Sequence, residues 1–308
     1  MKYRIFYFLI ILCASCNPVK EEVWLLGFEK PIENPILTAD SSYVFSCPLQ
    51  NREVQWQKAD VFNPAAIVRN DSIYLLFRAE DNPKAQLGDR TSRIGLAVST
   101  DGIHFNIFDK PILYPDSGEF KQWDWPGGCE DPRIVQTEDG TYVLTYTSWN
   151  KKIARLSVAT SQNLINWEKH GPVFEEAYDG KFLNNWTKSG SIVAKMENNG
   201  LVAAKINDKY WMYFGEEYVH IAYSENLKDW YPLMDEREEL LRVMEPRAKR
   251  FDSKLTEPGP PAILTEDGIL LFYNGKNDEG DNADPSMPAG TYCGGQALFD
   301  NNDPAKLL

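Results

Sequence analysis

A two-part unit recurs along this chain and restricts its fold more than any other feature. The first half is a turn followed by an alternating strand, as in Asn63-Pro64-Ala65-Ala66-Ile67-Val68 with Ile73-Tyr74-Leu75-Leu76-Phe77-Arg78. It returns at Asp131-Pro132-Arg133-Ile134-Val135 with Tyr142-Val143-Leu144-Thr145-Tyr146, and at Ser189-Gly190-Ser191-Ile192-Val193 with Tyr210-Trp211-Met212-Tyr213-Phe214. A fourth copy is Gly259-Pro260-Pro261-Ala262-Ile263-Leu264 with Ile269-Leu270-Leu271-Phe272-Tyr273. The second half is an Ala-x-Ser strand, a turn at Asp or Asn, and an aromatic residue at a fixed offset. It ends in Phe105, Trp167 and Trp230 in three copies, and a fourth begins at Ala297. Short strands at a long regular period, with no convincing helices between them, predict an all-β propeller. The fixed aromatic is expected to pack between repeats. A ring must close to lose its edges. Either four blades close with help from an N-terminal strand, or a C-terminal blade is missing from the sequence.

A chain of 308 residues, 43% of them hydrophobic, can bury one large core. The formal charge of -13 repels phosphate backbones, so nucleic acid is not an expected partner. The N-terminus reads as a targeting segment. Lys2 and Arg4 precede an apolar run over residues 5–12, which is too short to span a bilayer. Small residues then lead to Cys16, which predicts a lipoprotein signal over residues 1–16, with Cys16 lipidated and the protein exported and anchored to the cell envelope. Residues 17–50 read as a polar tether and lead-in segment, and residues 51–308 as the propeller domain.

Cys47, Cys129 and Cys293 are odd in number and widely spaced, which makes no disulfide framework. His104, His170 and His220 are too scattered for a histidine metal site. Residues 277–288 carry four acids without the spacing of a calcium motif and read as an exposed loop. No metal and no cofactor is expected.

Loops at the ends of innermost propeller strands converge on one axis. Gly127-Gly128-Cys129-Glu130-Asp131-Pro132-Arg133 combines two glycines, two carboxylates and an arginine. Carboxylate and guanidinium suit a ligand with many hydroxyls, since one accepts hydrogen bonds and the other donates them; a solvated turn is the plainer alternative. Glu216-Glu217 and Glu257 hold comparable positions. Two carboxylates across a pocket can hydrolyse a glycoside, one protonating the leaving oxygen and the other activating water. Adjacent residues of an extended strand face opposite ways, so one of Glu216 and Glu217 should reach the axis; the sequence leaves open which. Arg78, Asp81, Arg133, Arg155, Lys188, Ser189 and Asn274 are further polar candidates.

Taken together, residues 127–133, the Ala-Thr-Ser-x-Asn-Leu-x-x-Trp unit at 159–167, Lys188-Ser189-Gly190-Ser191, Phe214-Gly215-Glu216-Glu217, Gly259-Pro260-Pro261-Ala262 and Gly294-Gly295-Gln296-Ala297-Leu298-Phe299-Asp300 resemble glycoside hydrolase family 130. The resemblance implies a five-bladed β-propeller acting on β-mannosides, either as a phosphorylase or as an inverting β-1,2-mannosidase of the gut Bacteroidetes type. It implies that Asp131 lies in the sugar site and, in phosphorylases, serves as the proton donor; Glu130, Arg78, Asp81, Arg133, Lys188, Ser189 and Asn274 are the substrate-binding candidates read from the residues themselves. It also implies a chain that stops after its fourth blade.

A phosphorylase needs clustered cations for phosphate, whereas a hydrolase needs a second carboxylate to deprotonate water. Glu216, Glu217 and Glu257 fit the hydrolase, and so does export, because a conserved sugar phosphate is useful mainly in the cytoplasm. Lys151, Lys152, Arg155 and His220 are the cations that argue for phosphate. The expected activity is therefore an inverting β-mannosidase, with phosphorylase and non-catalytic glycan-binding lipoprotein as alternatives.

Overall fold

Successive side chains of a strand point to opposite faces, and in this protein both faces are buried. A computed structural model describes residues 25–198 and 200–308. In the strand Ser72–Glu80, Leu76 packs with Ile94, Ile134 and Leu144, while Leu75, Phe77 and Ala79 pack with Phe45, Val54 and Trp56. In Tyr142–Trp149, Val143 joins one apolar cluster and Leu144 the next. In Lys209–Phe214, Met212 and Phe214 face one way and Tyr213 the other. The alternating repeats are thus strands sandwiched between neighbouring sheets, and the core is a series of layers.

Four antiparallel meanders account for those sheets. The first runs through Asp60–Arg69, Ser72–Glu80, Ser92–Ser99 and Asn106–Ile107. The second uses Gly128–Gln136, Tyr142–Trp149, Ala154–Ser161 and Glu168–Pro172. The third pairs Ser191–Glu197 with Lys209–Phe214, then Val219–Ser224, which takes both Tyr231–Pro232 and Arg242–Met244. In the fourth, Leu255–Pro258 and Ala262–Leu264 lie along Ile269–Lys276, which pairs with Tyr292–Phe299. Neighbouring meanders meet through parallel contacts at Ser92 with Gly128, Gln136 with Val202, and Val193 with Ala262. The architecture is all-β and propeller-like, with a single four-residue helix, Lys121–Asp124, among the described residues.

The repeated aromatics sit in these layers. Trp230 is fully buried, and Trp167 packs at the edge of the preceding layer. Each indole N–H closes the same local turn, Trp167 onto the Leu164 carbonyl at 3.1 Å and Trp230 onto that of Leu227 at 3.2 Å.

Two N-terminal pieces cover sheet faces. The hairpin Val44–Cys47 with Arg52–Gln55 begins inside the segment read as a tether and packs Phe45, Cys47 and Val54 onto the first meander. Leu26 exchanges backbone hydrogen bonds with the Gln296 side chain, and Phe28 meets Phe272 edge-on at 5.5 Å on the fourth. The targeting segment and Cys16 lie outside the described residues. The acid-bearing loop at 277–288 is largely exposed, yet it is organised around buried Asn277, whose amide donates to the Asp284, Met287 and Pro288 carbonyls.

Candidate active site

The irregular opening of the first strand in three of the four meanders supplies the centre of the site. Asn63, Asp131 and Ser189 hold the same position in three repeats, and all three have left-handed backbones, with φ of 46°, 50° and 59°. Asn and Asp tolerate that region better than most residues. A register shift follows Phe62 in the first meander and Glu130 in the second, and such bulges re-aim side chains. The three residues are tied together around the axis. The Asn63 amide donates to Asp131 Oδ1 at 2.7 Å. Arg133 donates to the Asp131 carbonyl at 2.8 Å, to the Gly259 carbonyl at 2.7 Å, and to Ser189 Oγ at 3.5 Å.

Gly127 and Gly128 allow the chain to approach this point. Gly128 has φ of 116°, and a Cβ there would stand 2.1 Å from the Ser92 carbonyl oxygen; one on Gly127 would strike Trp149. The close approach delivers Glu130 and Asp131 to Arg78. That buried guanidinium donates to Glu80 at 2.6 Å, Glu130 at 2.8 Å and Asp131 at 3.1 Å, and its Nε donates to the Ser92 hydroxyl. The Phe62 ring lies 4.7 Å beneath it.

A second cation gathers the other acids. Lys188 Nζ lies 3.5 Å from Glu257 Oε1, 3.6 Å from Asp131 Oδ2 and 3.6 Å from Glu216 Oε1. Asp131 therefore bridges Arg78 and Lys188 with its two oxygens. Ser189 donates to Glu257 Oε1 at 2.5 Å, and the Trp186 indole donates to Glu216 Oε2 at 2.8 Å.

The charges respond to one another. Burial works against the Lys188 ammonium, but Asp131, Glu257, Glu216 and Glu130 together outweigh it and hold the group above its ordinary range. Burial also opposes the Asp131 charge, yet Arg78, Lys188 and Arg133 keep that carboxyl below the usual carboxylate range. Glu130 goes the other way: burial, reinforced by the neighbouring Asp131 charge, exceeds the pull of Arg78 and raises it. Of this adjacent pair, Asp131 carries the firm negative charge and Glu130 is the readier to hold a proton.

A family model described as beta-1,4-mannooligosaccharide phosphorylase matches residues 29–308. The chain belongs to glycoside hydrolase family 130. It is 34% identical over 262 residues to a 1,2-beta-oligomannan phosphorylase of Thermoanaerobacter sp. (strain X514), a match covering 83% of this chain and 74% of that protein. A putative glycoside hydrolase from Parabacteroides distasonis is 52% identical, with a TM-score of 0.91 over 93% of this chain and 82% of that one. A second structure, 49% identical with a TM-score of 0.90, covers 92% of this chain and 80% of its own. It was reported with the finding that this family of mannoside phosphorylases contains glycoside hydrolases that target β-1,2 mannosidic linkages in Candida mannan.

Within this family member, the geometry gathers Arg78, Glu130, Asp131, Arg133, Lys188, Ser189, Glu216 and Glu257. Asn274 is paired in register with Glu257, so its exposed side chain shares that face. Glu217 is exposed, and it is its carbonyl that serves the structure, accepting from Thr256 N at 3.1 Å and Thr256 Oγ1 at 3.0 Å. Asp81 is not in the cluster: strand alternation turns it away from Glu80, and it pairs with Arg93 at 2.9 Å. Nor is Arg155, which donates to the Leu183 carbonyl and Asn184 and lies over Trp123. Lys151 bonds the Asp89 carbonyl, His220 meets the Leu241 carbonyl, and Lys152 is exposed with no bond to the cluster.

Asn63, Glu80, Ser92 and Trp186 were absent from the sequence-derived set. Superposing the repeats would have found Asn63, which holds the position of Asp131. The others have no local signal, because they matter only through what they face.

Proposed function

We propose that the protein removes mannose from β-mannosides, β-1,2-linked ones first among them, by hydrolysis with inversion. The observation that carries this reading is the convergence of Asp131, Glu216 and Glu257 on one ammonium. Five carboxylates (Glu80, Glu130, Asp131, Glu216 and Glu257) stand against Arg78, Arg133 and Lys188, with Arg90 reaching Glu80 from its far side at 3.0 Å. Each of these cations already faces carboxylates or carbonyls. An entering phosphate would have to compete with these carboxylates and carbonyls for every cation.

Asp131 is suited to holding the terminal sugar. It is charged and buried, so it can accept from hydroxyls but is a poor proton donor near neutrality. Glu216 and Glu257 share the acid and base roles. Their Oε1 atoms stand 3.6 and 3.5 Å from Lys188 Nζ, so both acids face the same ammonium. Inverting pairs span roughly 6.5–9.5 Å between carboxyl groups, and this reading expects Glu216 and Glu257 to face each other across a gap of that size.

A second reading, phosphorolysis, is favoured by the phosphorylase relative at 34% identity. One incubation separates the two. Purified protein with β-1,2-mannobiose should release mannose at a rate that inorganic phosphate leaves unchanged, with α-mannose as the first anomer by NMR. Phosphate-dependent turnover to mannose 1-phosphate would establish the phosphorylase, and binding without turnover a glycan-binding protein. We place the enzyme at the cell envelope on a lipid at Cys16; this part rests on the sequence alone.

A further inference from the structure

An indole stands at the mouth of the acidic cluster with no part in the core. Trp186 is 53% exposed, yet its orientation is fixed. Its N–H donates to Glu216 Oε2, and its ring meets Trp149 edge-on, with centroids 5.4 Å apart at 63°. Trp149 is itself anchored: its N–H donates to the Gly88 carbonyl at 2.9 Å, and its ring lies against Gly127. A large apolar face kept in water and braced in one orientation suits a flat, partly apolar ligand such as a pyranose ring.

The geometry says which sugar. The two oxygens of a carboxylate point apart. Glu216 Oε1 faces Lys188, and with it Asp131 and Glu257, while Oε2 faces Trp186. The indole thus meets the Glu216 oxygen that is turned away from Lys188. If the terminal mannose sits at Asp131 and is cleaved between Glu216 and Glu257, the next sugar lies toward Trp186. We propose that Trp186, braced by Trp149, is the platform on which the leaving-group sugar stacks. This rests on the assignment of the terminal sugar to Asp131.

Binding tests it without turnover. A sulfur-linked β-1,2-thiomannobiose and free mannose are titrated calorimetrically into the wild-type chain, Trp186→Ala and Trp186→Phe. Trp186→Ala should weaken the disaccharide by about 10-fold or more while leaving mannose within about 2-fold, since only the second ring loses its partner. Trp186→Phe keeps an aromatic face without the N–H and should recover most of the disaccharide affinity. Equal loss for both ligands, no loss for either, or a Phe variant as weak as Ala would each overturn the platform. A wild-type chain that turns over no mannobiose in the phosphate experiment instead sinks the catalytic reading, so the two failures are distinct.

Discussion

Glu216 and Glu217 are adjacent, and exchanging each for glutamine separates them. In Glu216→Gln the side chain keeps its shape but loses its charge. Two donors, the Lys188 ammonium and the Trp186 indole N–H, now face one carbonyl oxygen and one NH₂. One donor is left opposed by another, so stability should fall by about 1–2 kcal/mol at this partly exposed site. The loss in rate should be far larger. Removing a general acid or base typically costs about 10²–10⁴-fold, or roughly 3–5 kcal/mol of barrier. Glu217→Gln retains the carbonyl that accepts from Thr256 and alters only an exposed side chain, so rate and stability should stay within about 2-fold and ~0.5 kcal/mol. Initial rates of mannose release, with urea unfolding as the folding control, check both variants. A collapse in Glu217→Gln with Glu216→Gln near wild type would refute the assignment.

Lys188→Met should be the most damaging single change to the cluster, because it leaves Asp131, Glu216 and Glu257 without their shared cation. Removing one member of a buried ion pair typically costs about 3–5 kcal/mol, measurable by urea unfolding at pH 7. The Lys188 ammonium is raised above its ordinary value of 10.5, so its stabilisation is complete below that pH and is lost as pH rises through the higher folded value. The wild-type and variant curves should therefore approach each other only on the alkaline side, and, in strong acid, as Asp131 takes up its proton; a pH-independent gap would contradict this. Gly128→Ala forces a side chain at φ of 116° to within 2.1 Å of the Ser92 carbonyl oxygen, so the loop must move. Mannose release should fall at least ~10-fold, with a stability loss of about 1–3 kcal/mol by thermal melting.

The layered fold was legible because burial on both faces leaves a simple trace. The central strands are rich in apolar residues on both faces, as in Leu75-Leu76-Phe77 and Tyr142-Val143-Leu144, and the turn residues recur at one period. Asp131 and Lys188 were legible because their motifs flank first strands. The choice between Glu216 and Glu217 was not, since the strand ends at Phe214 and Gly215, with φ of 129°, breaks the alternation that would have decided it. Asp81 was misread for a related reason. It follows Glu80, and one step along an extended chain carries it from Arg78 to Arg93. Residue type and proximity in sequence identify a loop, but the facing of each side chain is set by one-residue parity.

The site also shows how a repeated scaffold yields a single asymmetric reaction centre. Asn63, Asp131 and Ser189 occupy one repeat position with one backbone geometry, and therefore point at one axis. Their identities differ, and so do their tasks: an amide donates to the carboxylate, the carboxylate bridges two cations, and a hydroxyl donates to Glu257. Convergence follows from the pseudo-symmetry, and the chemistry from departures from it. Glu216 stands on the turn after the strand Lys209–Phe214 of the third meander and Glu257 in the strand Leu255–Pro258 of the fourth, and Tyr213, Ile221, Leu271 and Tyr273 pack between those sheets. Core packing thus fixes the spacing of the two sheets, while the turn between Lys209–Phe214 and Val219–Ser224 sets how far Glu216 reaches from its own.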